Sequence, residues 1–198
     1  MEGTTSSSEL GAVIVGIDGS EPARQAAMWA AAAGAKTPVI IVRGTENGAN
    51  TGAVLAAVRD EHDLDCARYA AREARIREGS LRLLHVWNIL QFVGEVVTLL
   101  DDVEEIANEQ VHHLNAVADR IREEFPDLTV QADAEKSTSV ASVLVEASRR
   151  ADLLVMGGRR SPSYLGPTLG RVTHSLVHHA HCPVQAIPVH TDKPGSES

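Results

Sequence analysis

Aromatic residues are scarce. The 198-residue chain holds two tryptophans, two tyrosines and two phenylalanines, too few and too scattered to stack single-stranded bases, so the core is expected to be aliphatic. Cysteine is equally sparse: Cys66 and Cys182 stand far apart with no C-x-x-C pair. That excludes a disulfide framework, suits a reducing compartment and marks both as buried thiols. No apolar run approaches the roughly 20 residues needed to cross a bilayer. Met1 to Glu9 is acidic and rich in Ser and Thr, unlike a signal peptide, and the protein is expected in the cytoplasm. Positive charge is in deficit, 18 basic against 27 acidic residues for a net charge of −9, which argues against nucleic acid and anionic membrane as partners. A Gly-x-Ser-x-Gly elbow, an activated cysteine and a Walker A motif are all missing, so no nucleophile for hydrolysis is visible.

What is present is the composition of a folded domain, 43% hydrophobic and 23% charged. Short aliphatic runs at Ala12–Ile17, Val39–Val42, Ala53–Val58, Leu81–Trp87, Leu128–Ala132, Leu153–Met156 and Val184–Val189 read as strands buried on both faces. Between them, Glu21–Gly34, Leu64–Gly79, Asp101–Phe125, Ser139–Arg150 and Thr168–His179 carry apolar residues at helical spacing. Gly79 and Pro126 mark helix ends, and Ser139 or Ser137 a helix start. Strands alternating with helices predict an α/β fold on a parallel sheet.

Two echoes run through the chain. Val13–Ile17 with the helix around Trp29 parallels Val54–Val58 with the helix around Tyr69, and Pro38-Val39-Ile40-Ile41-Val42 parallels Pro183-Val184-Gln185-Ala186-Ile187. They divide the chain into a disordered start (1–9), a truncated strand-helix-strand repeat (10–44), a polar linker (45–51), a complete copy (52–190) and a disordered tail (191–198).

The segments Val13-Ile14-Val15-Gly16-Ile17-Asp18-Gly19-Ser20, Leu81-Arg82-Leu83-Leu84-His85-Val86-Trp87, Ala151-Asp152-Leu153-Leu154-Val155-Met156-Gly157 and Gly170-Arg171-Val172-Thr173-His174-Ser175-Leu176-Val177 resemble the universal stress proteins. The resemblance implies a five-stranded, mostly parallel, Rossmann-like sheet with helices on both faces, of the adenine nucleotide alpha hydrolase-like kind. It also implies dimers and tandem copies. In members that hold ATP, an Asp ending the first strand meets adenine and a glycine loop after the fourth strand wraps the phosphates, where backbone N–H groups and a helix N-terminus favour an anion. Asp18, Val86, Gly157, Gly170 and Val172 are the positions that match the family's nucleotide site.

Other positions depart from it. Arg160 replaces the second glycine of the loop, Arg171 replaces the hydroxyl residue after Gly170, and Arg59-Asp60 stands where the complete copy should carry its Asp-Gly-Ser turn. These four are expected to line the same pocket. Arginines there either bind an anion as bidentate donors or fill the space the glycines leave open, neutralised by Asp60, Glu61 or Asp63. The resemblance thus implies a non-enzymatic stress-response module with an altered nucleotide pocket, acting through dimerisation and, on the first reading of the arginines, an anionic ligand. The alternative is an ATP-binding, nucleotide-dependent switch, with ATP as the sole candidate cofactor. For assembly, a homodimer is expected through the closing strand Val184–Val189, with Val39–Val42 as a pairing strand from the same or the partner chain.

The remaining constellations have plainer readings. His174 and His178 share a helix face near His181 and Cys182, but the ligand set for a metal is incomplete and histidines suit a helix C-terminus. His112 and His113 read as a solvated face. Asp101, Asp102, Glu104 and Glu105 suit a helix start, Ser161, Ser163 and Tyr164 a polar loop, and Arg68, Arg72 and Arg75 a solvated helix stripe.

Overall fold

A computed structural model of the chain describes residues 13–17, 20, 23, 38–43, 51–87, 100–158 and 170–188. Seven strands, β1 (Val13–Ile17), β2 (Val39–Arg43), β3 (Val54–Ala57), β4 (Ser80–Trp87), β5 (Thr129–Lys136), β6 (Leu153–Gly158) and β7 (Val184–Pro188), form one sheet. Its helices are α1 (Leu64–Ile76), α2 (Leu100–Glu124), α3 (Val140–Ala147) and α4 (Arg171–His179). The expected helix over Glu21–Gly34 lies outside the described residues except at Ala23. The terminal segments 1–9 and 191–198 and the linker positions 45–50 lie wholly outside them. Among the described residues no helix is long and apolar enough to cross a membrane.

Strand order is β1-β2-β7-β6-β3-β4-β5. The five strands β7-β6-β3-β4-β5 are mutually parallel, the sheet implied by the family resemblance. β1 and β2 are parallel to each other, and β2 lies antiparallel on β7 of the same chain, with Val39 opposite Ala186, Ile40 opposite Gln185 and Ile41 opposite Val184. The sheet therefore has seven strands and reverses direction once, at the β2–β7 joint.

The central strands are buried on both faces, which is why they read as unbroken apolar runs. On one face Val54, Ala56, Leu81, Leu83, Leu153 and Val155 meet α1 and α2. The buried side of α1 is Ala67, Ala70, Ala71 and Ala74, small enough to bring its backbone close to the sheet. On the other face Leu55, Leu84, Leu154 and Met156 pack with Leu144 of α3 and Leu176 of α4. Val39 and Ile41 of β2 form a separate cluster with Val177 of α4.

Several boundaries differ from the sequence reading for identifiable reasons. β5 runs through Lys136 rather than ending at Ala132, all eight residues pairing with β4. It is an edge strand, so its alternate residues are solvated, and Arg82 Nε donates across to Asp133 Oδ2 at 2.7 Å. α1 ends at Ile76, and Glu78 adopts a left-handed φ of 52° while its N–H bonds the Arg75 carbonyl and Gly79 N–H bonds Ala74. Glycine at 79 has a different cause: a Cβ there would overlap the Gly52 backbone. Ser139 caps α3, its Oγ accepting from Ser142 N at 3.3 Å. The Arg68, Arg72 and Arg75 stripe is not merely solvated. Arg68 binds Glu124, and the Arg72 and Arg75 guanidinium groups lie over the Tyr69 and Phe125 rings at 5.6 and 5.8 Å.

Candidate ligand site

After β3 the chain turns to β4 on one side, whereas β6, β3's other neighbour, leads on to β7. This reversal opens a crevice at the carboxyl ends of the strands, the position where open α/β sheets bind ligands. It is occupied by a cleft of about 320 Å³. Its floor is Ala57, Leu84, Val86 and Met156 from strand ends, and Val140 and Leu144 of α3 form one wall. Gly170, Arg171, Val172 and Thr173, at the start of α4, form the other, and Arg59 and Gly157 close the rim.

Of the positions singled out in the sequence, Val86, Gly157, Gly170, Val172, Arg59 and Arg171 are brought together here. Asp18 and Arg160 lie outside the described residues. Asp60 does not line the cleft as expected. Its Oδ1 accepts from His62 N at 3.0 Å, capping the short 3-10 turn Glu61–Asp63, a use that an Asp preceding a helical turn has for local reasons.

Arg59 is fixed by Asp63. Its backbone N–H and Nε each donate to Asp63 Oδ2 at 2.9 Å, and Nη2 donates to Oδ1 at 2.8 Å. Asp63 is 3% exposed and the Arg59 side chain 41%. Hydrogen bonding to Asp63 raises the Arg59 pKa above its ordinary value, against the opposing effect of burial, so the guanidinium stays charged throughout the neutral range. Beneath it, burial first and then the charge of Asp63 push the Cys66 thiol up. Gly157 is explained by the same pair: a Cβ there would lie 2.9 Å from Asp63 Oδ1 and 3.1 Å from Arg59 Nη2. Gly170 differs, since a Cβ would meet nothing within 4 Å.

The strand end that carries Arg59 is held from behind. His85 is buried, and its Nδ1–H donates to the Val58 carbonyl at 2.9 Å while Nε2 lies 3.0 Å from the Gln110 side-chain amide of α2. Sequence reasoning missed this bridge, along with Met156, Thr173 and the α3 wall. The signal for the wall was available in the four-residue spacing of Val140 and Leu144, and that for Met156 in its place beside Gly157 at a strand end.

The two described arginines are the only charged residues among the described lining, and Thr173 supplies the only hydroxyl. The arrangement suits an anion at the rim and an apolar body on the floor. Elsewhere, the His174 and His178 rings stack at 4.5 Å between centroids. Among the described residues no group of three or more His, Cys, Asp or Glu is placed to hold a metal ion.

Comparison with known proteins agrees with this fold. A universal stress protein of Mycolicibacterium smegmatis is 32% identical over 147 residues, covering 70% of this chain and 48% of its own length. The chain thus spans about half the length of the curated relatives it matches. In fold it is similar to the solved structure of a universal stress protein from Archaeoglobus fulgidus, with a TM-score of 0.61 at 18% identity over 92% of this chain and 62% of that one. It is also similar to a universal stress protein solved in complex with cAMP, with a TM-score of 0.51 at 16% identity over 70% and 97% of the two chains. The sequence model of the universal stress protein family matches residues 50–188, from just before β3 through the end of β7, and the chain belongs to that family.

Proposed function

We propose that the protein is a non-enzymatic, cytoplasmic stress-response module whose altered nucleotide cleft takes an anionic ligand. The carrying observation is the Arg59–Asp63 clamp at the end of β3, where the family resemblance places an Asp that meets adenine. A guanidinium donates where that carboxylate would accept, so the cleft selects for an acceptor at this point. Arg171 adds a second positive group at the start of α4, in place of the hydroxyl of the family pattern.

The second reading is a nucleotide-dependent switch, favoured by the relative of similar fold solved with cAMP and by the retained Gly157 and Gly170. Calorimetric titration of nucleotide-stripped full chain with Mg-ATP separates the two. The altered-cleft reading expects no tight binding by the unchanged chain and a gain in Arg160→Gly/Arg171→Ser, which restores two residues of the family pattern. Tight binding by the unchanged chain would establish the switch instead.

Assembly belongs to the same proposal. The protein dimerises at β7, and because β2 lies on that strand, dimerisation proceeds by exchange of the β1–β2 arm between two chains, preserving the ladder.

A further inference from the structure

From the chemistry of the cleft we infer that its ligand class is a single-chain aliphatic carboxylate, with the head group on Arg59 and the chain on the floor of β-strand ends. The inference rests on the reading of this cleft as an anion site and names its occupant.

Arg59 supplies the head-group contact. A guanidinium carries five N–H donors in a planar fork. Nε and one Nη2 hydrogen are committed to Asp63, which leaves both Nη1 hydrogens and the second Nη2 hydrogen along the outer edge. That edge matches the two oxygens of one carboxylate. Asp63, buried and bonded three times to Arg59, holds the fork in place before any ligand arrives, so little ordering remains for binding to supply.

The body of the ligand is set by the floor and walls. Val86, Leu144, Met156, Val140 and Val172 present aliphatic surface, and Met156 adds an unbranched, adaptable side chain suited to a flexible chain. Among the described lining residues no aromatic ring offers a stacking partner and no carboxylate accepts from an amino group or a sugar hydroxyl. The volume of about 320 Å³ lies at the small end of ligand pockets, which fits a medium-length chain. Asp63 offsets the charge of Arg59, and in a protein of net charge −9 Arg171 adds a further positive group to the described lining, which favours an anion.

The test uses the full chain labelled with ¹³C at the methionine methyls, of which there are three, because Met156 faces the cleft. Decanoate, decanol and Mg-ATP are titrated in turn. Saturable movement of the Met156 signal by decanoate is expected, with decanol at least about tenfold weaker because it lacks the charge that a bidentate arginine recognises. Arg59→Ala should weaken decanoate by about tenfold or more. Leu144→Trp, which fills the wall and leaves Arg59 intact, should abolish the shift and covers the case in which Arg59→Ala does not fold. Equal binding of decanol and decanoate would overturn the inference, as would an undiminished response in Leu144→Trp. Silence toward decanoate with an Arg59-dependent shift by Mg-ATP would overturn the inference while keeping the anion site. Silence toward all three would overturn the inference.

Discussion

Glu78 occupies a backbone conformation that glycine adopts without cost. Its φ of 52° places a side chain in the left-handed region at the position after a helix cap where glycine is the usual residue. Glu78→Gly is expected to raise stability by about 1 kcal/mol, the cost of that conformation for an L-residue, read as a higher urea midpoint. Gly79→Ala serves as the counterpart and should lower the midpoint sharply, since its Cβ would collide with the Gly52 backbone. An unchanged midpoint in Glu78→Gly would mean that the helix end relaxes freely. The residue-level signals were only half legible in the sequence. A glycine near a helix end was visible, but its partner lies 27 positions away at Gly52, and local pattern carries no information about such an approach. Arg59 was more legible: its departure from the family pattern and the three nearby acids that could neutralise it were readable, and only the choice of Asp63 among them depends on how the turn Glu61–Asp63 folds back.

Between elements, α1 and α2 are tied by Arg68 and Glu124. Arg68 Nε lies 2.9 and 3.1 Å from the two Glu124 oxygens and Nη2 lies 2.7 Å from Oε1. Hydrogen bonding to Arg68, more than its charge, holds the Glu124 carboxyl below its ordinary value of 4.5. A carboxyl depressed in the folded state stabilises the fold above its unfolded value and loses that contribution as pH falls through the folded one. Thermal midpoints should therefore drop below about pH 4, with a shallower acid limb in Glu124→Gln and a smaller midpoint difference between the two proteins at pH 3 than at pH 7. Identical acid limbs would show that solvent screens the tie completely. At this scale the sequence was most informative where elements are buried on both faces, since β3, β4 and β6 advertise themselves as apolar runs. It was least informative at β5, where a solvated edge interleaves Gln131, Asp133 and Glu135 with apolar neighbours and hides half of the strand. The helical spacing placed α1 and α2 but could not say which arginine meets which acid.

For the whole molecule, the order of β-strands makes arm exchange directly observable. Ile40 and Gln185 face each other across the β2–β7 joint, so Ile40→Cys/Gln185→Cys should form a disulfide under mild oxidation. Exchange predicts a covalent dimer on a non-reducing gel whose share rises with protein concentration, whereas an oxidised product that stays monomeric at every concentration would exclude it. The native thiols do not interfere, because burial pushes Cys182 up to about 12 and raises Cys66 further. The antiparallel joint also fixes a polarity. β1 and β2 point one way and β3 to β7 the other, so the chain leaves β1 at Ile17 on the rim of the sheet opposite to the one where β6 delivers Gly157. A five-residue strand measures about 17 Å, which is the distance that separates the two rims. Ile17 and Gly157 therefore stand on opposite shores of one plate.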